Sequence, residues 1–444
     1  MGNINYKAIY EKNKHDWYAM TEEPQKYEAL LAGHYSDCNH FVYELLQNAE
    51  DEHASKAVFE YHSDKLVFYH NGDPFDEADV RGVSSMLMGT KDREDAQTIG
   101  RFGMGFKSVF KYTYQPEIYS DDEAFRIKHY LLPEEIIEGW NPDKEKEQII
   151  CTLGEGRSFI PFAQDKHLTK IIIPFKKYDK NGKLSAVPGE DVLEKLHSLN
   201  GEILLFLSYI KNLYWVNKET GQFAYISLKS DEKDKKLITC RIESSSNDGK
   251  EDIARFLKYK KTFDHPDMKN AEVSVAYKLN SRADNVNAVE EAPVWVYFPT
   301  RDMTDLPFLI HGSFETAVSR EKLMTPSDFN DYLFDKLGDL IAESMDDLAS
   351  KKLITQMFLR KIVITAFKDE SENGTIHGLK DKITEVFKRD GIIPDRNGNY
   401  RKPDDLRLPL PFRMGDFKER PFIGNIFKNV EAFVAFNNEQ ELPV

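Results

Sequence analysis

The sequence predicts a mixed α+β protein, and three local patterns predict it. Phe41, Val42, Leu45, Leu46 and Ala49 repeat at helical spacing beside a polar stripe of Glu44, Asn48 and Asp51. Residues 57–61 and 65–69 are β-branched and aromatic runs around the polar turn His62-Ser63-Asp64, which reads as a hairpin. Further on, strand-like runs dominate residues 213–298, whereas residues 328–367 read mainly as helix.

The first helix carries chemistry as well as core. Glu44, Asn48 and Asp51 stand at i, i+4 and i+7 and so fall in one narrow stripe. A carboxylate, an amide and a second carboxylate in a row suit a water-activating site. Glu44 can orient or deprotonate a water, Asn48 can offer its carbonyl oxygen to Mg²⁺, and Asp51 can hold ordered water or nucleotide. An ordinary amphipathic helix with a polar shoulder fits the same octapeptide.

After the hairpin comes His70-Asn71-Gly72-Asp73-Pro74-Phe75, a turn that can also floor a base pocket. Residues 82–98 are poor in periodic hydrophobicity and carry Ser84, Ser85, Gly89, Thr90, Lys91, Asp92 and Arg93, a composition that suits a mobile lid. Then Gly100, Arg101, Phe102, Gly103, Met104, Gly105, Phe106 and Lys107 follow. Phe106 separates Gly105 from Lys107, so the run is no P-loop, and its order G-x-x-G-x-G is not the dinucleotide fingerprint. What survives is a loop whose backbone N–H groups can approach an anion, leading into a helix from Phe106. Glycines that merely allow tight packing are the alternative.

Beyond the loop, a strand over residues 170–175 is expected to close the first sheet, and residues 177–189 read as a surface connection. A helix over residues 190–211 follows, with a flexible break at 244–249 inside the later strands and a final α+β piece containing the turn 394–400. The resulting domains are 1–180, 190–330 and 331–444, the last helical to α+β.

The order E-L-L-Q-N-A-x-D, H-N-G-x-P-F and T-I-G-R-F-G-M-G-F-K-S-V-F resembles the Bergerat nucleotide fold of the GHKL superfamily, and within it the sacsin-like branch. Residues 306–314, 319–322 and 393–400 extend the resemblance through most of the chain. It implies an α/β sandwich ATPase domain, a mixed α/β middle domain of transducer type, and ATP and Mg²⁺ as cofactors. It also implies roles: Glu44 as general base, Asn48 as Mg²⁺ ligand, Asp51 beside them, Gly100 to Lys107 as phosphate loop, and Thr169 in adenine recognition. His70 stands where most of the superfamily has the aspartate that reads the adenine amino group; Asp73, Asp76 and Asp79 are nearby substitutes, or helix caps. Arg320, in Ser319-Arg320-Glu321-Lys322, is the residue expected to reach the γ-phosphate from the middle domain, against the alternative of a surface helix start with an internal Arg/Glu pair.

Composition bounds the partners. With 60 basic and 75 acidic side chains the formal charge is −15, which disfavours nucleic acid as a partner through the overall field. Cys38, Cys151 and Cys240 are far apart and form no CxxC pair, so neither a zinc site nor a disulfide framework is expected. No run approaches a membrane span, and a soluble cytoplasmic protein is the expectation. The favoured function is an ATPase whose lid closure and domain rearrangement act on a protein or another macromolecular partner, with a nucleotide-dependent homodimer implied by the resemblance. The alternative is a nucleotide-binding switch or scaffold with little turnover, such as one component of a bacterial defence assembly.

Overall fold

Val58, Val67 and Tyr69 face one way from their hairpin, while Ala57, Phe59, Leu66 and Phe68 face the other, as a two-residue period requires. All seven are buried, so this hairpin lies inside a layered fold. The computed structural model describes residues 4–21, 40–85, 105–137, 139–176, 189–247, 251–304, 306–317, 320–355, 358–359, 379, 382–383, 386, 391–394, 399–402 and 405. The chain forms two compact units, Met1–Lys229 with Cys240–Ile253, and Ser230–Thr239 with Ala254–Val444.

The first unit contains, in order, α1 (Tyr6–Thr21), α2 (His40–Asp51), β1 (Lys56–His62), β2 (Lys65–His70) and α3 (Glu77–Ser84). It continues with β3 (Glu117–Ser120), β4 (Glu123–Lys128), β5 (Leu132–Glu135), α4 (Pro142–Gln148), β6 (Cys151–Thr152), β7 (Ser158–Phe159) and β8 (Thr169–Pro174). Then come α5 (Glu190–Ser198), β9 (Asn212–Asn217), β10 (Phe223–Ser230) and β11 (Leu237–Ser244), whose Cys240–Ser244 part lies in this unit. Its main sheet runs β10-β9-β1-β2-β8-β3-β4-β5. Neighbours are antiparallel except β1 with β9, so the α+β expectation holds. One face of the sheet is covered by Ile149, Cys151, Phe162 and Leu168 packed on Val58, Val67, Tyr69, Tyr214 and Phe223.

The second unit carries β12 (Glu251–His265), β13 (Met268–Leu279), β14 (Pro293–Val296), β15 (Phe298–Met303), β16 (Leu309–Gly312) and α6 (Asp328–Ser350), with strand order β15-β14-β16-β13-β12. Its core joins Val273, Val275 and Tyr277 of β13 to Leu333, Leu337, Leu340, Ile341 and Leu348 of α6. A two-stranded pair, Ile393–Pro394 with Tyr400–Arg401, brackets the expected turn, whose residues 395–398 lie outside the described residues. So do residues 406–444 and all but fifteen positions from 356 to 405, which include most of the C-terminal region expected to be helical to α+β.

Two elements differ from the sequence expectation, each for a tertiary or capping reason. Strand β8 does not close the sheet; it lies between β2 and β3, and β5 is the edge. The helix expected over 190–211 stops at Ser198: Leu199 and Asn200 turn extended, Asn200 caps the 3-10 turn Gly201–Leu204, and beyond it the N–H groups of Ser208, Tyr209 and Ile210 donate to the buried Glu50 carboxylate. Of residues 328–367, which read mainly as helix, Phe358 and Leu359 are helical and 356–357 and 360–367 lie outside the described residues; α6 itself ends at Ser350. There Lys352 is left-handed (φ 57°), Leu353 N donates to Leu348 O and Lys352 N to Ala349 O, both at 2.9 Å, a Schellman closure.

Candidate functional site

Helix α2 is where the chemistry-bearing residues meet. Phe41, Val42, Leu45, Leu46 and Ala49 are at most 1% exposed, which fixes its apolar face, and Phe41 packs on Tyr112 at 4.6 Å. Glu44 and Asp51 are buried as well, and Asn48 is half-buried. Burying two carboxylates in a helix shoulder is costly unless polar groups compensate, so this stripe is no ordinary solvated face.

Gly105 supplies the decisive approach. A Cβ built there would stand 1.7 Å from Glu44 Oε2, a distance no real side chain tolerates. The last glycine of the sequence loop thus lies directly against the Glu44 carboxylate, sixty-one positions away in the chain. Gly72 makes the matching contact near the other end of the helix. Its Cβ would meet Glu52 O at 2.4 Å, and Asp73 N donates to that same oxygen at 2.6 Å. Glu44 and Glu52 are eight residues apart, about 12 Å along a helix axis. One helix therefore holds the loop glycine and the turn glycine a fixed distance apart.

The β2 turn delivers a row of polar groups. His70 pairs with Thr169 across β2 and β8, and Thr169 pairs with Ser120 across β8 and β3, so the three side chains share one face. Ser120 Oγ lies 2.7 Å from Thr169 Oγ1 and accepts from Phe75 N at 3.0 Å. His70 is 2% exposed, and burial pushes its imidazole down to about 3, so the ring is neutral. Gly72 N donates to Nδ1 at 3.2 Å, which leaves the ring proton on Nε2. Asn71 is committed to the turn: its Oδ1 accepts from Ser55 N and Lys56 N, each at 2.9 Å, and its Nδ2 donates to Ser55 Oγ at 2.9 Å. Asp76 and Asp79 form the capping box of α3, and Asp73 faces His53 at 2.9 Å. Ser120 has no motif around it, and sequence reading missed it.

The helix expected from Phe106 is a 3-10 helix, Phe106–Lys111. Lys107 is 3% exposed, and its ammonium donates to Val83 O at 2.7 Å and to Tyr130 O. Burial pushes it down to about 7. Lys91, Gly100, Arg101, Phe102, Gly103 and Met104 lie outside the described residues. Arg320 belongs to the second unit, at the tip of a loop closed by the Thr316–Leu323 bridge, with a left-handed backbone (φ 56°). That loop is braced on β15, where Glu321 O accepts from Arg301 N at 2.7 Å and Asp302 Oδ2 accepts from Leu323 N at 2.6 Å. Glu321 forms an ion pair with Arg301 at 3.4 Å. Among the described residues no group of three or more His, Cys, Asp and Glu side chains is arranged to hold a metal ion, and no helix is long and apolar enough to cross a membrane.

Comparison with known proteins gives the site a context. The Arabidopsis thaliana protein NO VEIN is 25% identical over 361 residues, covering 78% of this chain and 12% of that protein. Human sacsin is 25% identical over 223 residues, covering 40% of this chain and 5% of sacsin. The chain is similar in sequence to a part of each. It spans only a small part of the length of either relative, and no family model matches it. Among solved structures, the B-subunit of Myxococcus xanthus DNA gyrase aligns with TM-score 0.38 and 11% identity, over 82% of this chain and 99% of that one. The ATPase domain of the Aquifex aeolicus mismatch repair endonuclease MutL aligns with TM-score 0.30 and 10% identity, over 68% and 94%. The chain is a mixed α/β protein in which Gly105 and Gly72 approach Glu44 and Glu52, at and just beyond the ends of the polar stripe of α2.

Proposed function

We propose that this chain binds ATP with Mg²⁺ and hydrolyses it slowly, and that nucleotide state regulates a macromolecular partner through domain rearrangement. The observation that carries the reading is the approach of Gly105 to the Glu44 carboxylate, which sets a buried acid against backbone able to approach a phosphate. Glu44 serves as the base that orients the attacking water. Asn48, one turn along α2, would hold Mg²⁺ through its carbonyl oxygen. A single protein oxygen fits an ion that takes most of its ligands from phosphates and water, and the ion supplies charge neutralisation at the phosphates. Asp51 sits a further turn on. Backbone from Gly100 to Lys107 cradles the phosphates, with Lys91 from the preceding segment. His70, Asn71, Gly72 and Thr169 form the base end, where neutral His70 offers an N–H and the hydroxyls of Thr169 and Ser120 hydrogen-bond to each other. Arg320 reaches the γ-phosphate as the middle domain closes.

A second reading, a nucleotide-binding switch with little turnover, draws on Lys107, whose ammonium is engaged by two backbone carbonyls. One experiment separates the two. Phosphate release is measured with and without Mg²⁺, beside binding of a non-hydrolysable ATP analogue. Mg²⁺-dependent release supports the ATPase, binding without release supports the switch, and no binding refutes both.

A further inference from the structure

Four backbone carbonyls on two segments are held by just two side chains, and each side chain takes one carbonyl from each segment. Lys107 Nζ donates to Val83 O at 2.7 Å and to Tyr130 O. Asn13 Nδ2, from the middle of α1, donates to Ser84 O at 3.0 Å and to Leu131 O at 2.8 Å, with Ser84 Oγ at 3.3 Å. Val83 and Ser84 end α3, and Tyr130 and Leu131 lie in the turn between β4 and β5. The lysine and the asparagine therefore clamp consecutive carbonyls of the same two segments.

That turn needs an outside hold. His129 and Tyr130 both adopt left-handed backbone, with φ of 50° and 67°, which L residues avoid. Helix α1 supplies more than the amide: Trp17 stacks on His129 at 4.8 Å and 27°, and Tyr6 donates to Glu123 Oε2 at 2.8 Å. Asn13 is 9% exposed and faces three oxygens, so only a group with two N–H bonds satisfies the position. Lys107 connects the junction to the site. It lies two residues after Gly105 in the same 3-10 turn, where Ser108 N and Oγ donate back to Gly105 O at 3.0 and 2.6 Å. Gly105 in turn abuts Glu44.

We propose that Asn13 is a positioning residue for the Glu44–Gly105 site, acting through the junction that it shares with Lys107. The proposal rests on the nucleotide-site reading above. Loss of the Asn13 amide leaves the carbonyls of the left-handed turn held by Lys107, beside the Trp17 stack on His129 from α1, so that Lys107, and Gly105 with it, shifts relative to Glu44. The base end at His70 and Thr169 is on different strands and keeps its geometry.

The test uses Asn13→Ala and the isosteric Asn13→Asp in the full chain. Phosphate release is expressed per occupied nucleotide site, counted with the non-hydrolysable ATP analogue, and Lys107 acetylation by acetic anhydride at pH 7 is read by mass spectrometry against exposed Lys7 in the same digest. We expect the rate per occupied site to fall about tenfold in Asn13→Ala and further in Asn13→Asp, because displacements well under 1 Å already cost rate. Analogue affinity stays within about threefold, and the Lys107 to Lys7 acetylation ratio rises about fivefold or more as the clamp opens. A purely structural role would reduce the number of binding sites and leave the rate at each unchanged. An unchanged rate per occupied site overturns the proposal whatever Lys107 does. A wild type that binds no nucleotide refutes the nucleotide-site reading instead, and an unchanged acetylation ratio would then still overturn the hold assigned to Asn13.

Discussion

Replacing Gly105 by alanine perturbs the candidate site with one methyl group. Gly105 has φ −62° and ψ −46°, right-handed helical values that alanine adopts without strain. The backbone therefore accepts the change, and the unfolded chain loses freedom, worth about 0.4–1 kcal/mol in favour of folding. The added Cβ would lie 1.7 Å from Glu44 Oε2, and real contacts begin near 3.0 Å, so the carboxylate must retreat by about 1.3 Å. The atom met is the far end of a side chain, so the retreat is compatible with folding. Misplacing a reacting group by about 1 Å costs on the order of 10² in rate. Gly105→Ala should thus keep or raise the melting temperature while turnover falls about a hundredfold. Steady-state phosphate release and a thermal melt on the same preparation give both numbers. Shortening the acid relieves the clash, so Gly105→Ala with Glu44→Asp should lose less than the product of the two single effects. A Gly105→Ala protein that melts normally and turns over at the wild-type rate would refute the argument that this contact belongs to the chemistry.

Glu44→Ala should cut hydrolysis by about 10²–10⁴ with nucleotide binding nearly intact, and Asn48→Ala should weaken binding only when Mg²⁺ is present, as titrations with and without the metal will read. With a neutral His70 carrying its proton on Nε2, the site offers a donor where a carboxylate would offer an acceptor. Competition between ATP and GTP should therefore show weak discrimination, and His70→Asp should raise the preference for ATP; a strong ATP preference that survives His70→Ala would assign base reading to other groups. Arg320→Ala should lower turnover by about 2–4 kcal/mol of transition-state stabilisation with ADP affinity unchanged, and equal turnover by a fragment ending near residue 180 would return Arg320 to a surface role. His311 in the second unit is fully buried, and burial holds it down to about 3, well below its ordinary range. Between about pH 6.5 and 3 the unfolded chain binds a proton there that the folded chain refuses, so this contribution to stability is present above pH 6.5 and is lost as pH falls, by about 1.4 kcal/mol per unit. Urea midpoints at pH 7 and 5 should converge in His311→Gln relative to wild type, and an unchanged difference would contradict the burial argument.

The sequence by itself determined what short-range periodicity encodes. The stripe of Glu44, Asn48 and Asp51 beside a buried face, the hairpin from Lys56 to His70, and the Asp76 and Asp79 cap all follow from spacing within about ten residues. Only the tertiary structure decided where separate segments meet, because a contact across dozens of residues leaves no local pattern. It put Gly105 against Glu44, stood Ser120 beside Thr169, and drew Asn13 and Lys107 onto the same pair of carbonyl segments. It also overruled local propensity where a distant group competed for the backbone. The helical pattern after Glu190 gives out at Ser198, and past the 3-10 turn Gly201–Leu204 the Glu50 carboxylate takes the N–H groups of Ser208, Tyr209 and Ile210, because a buried carboxylate left without donors would be costly.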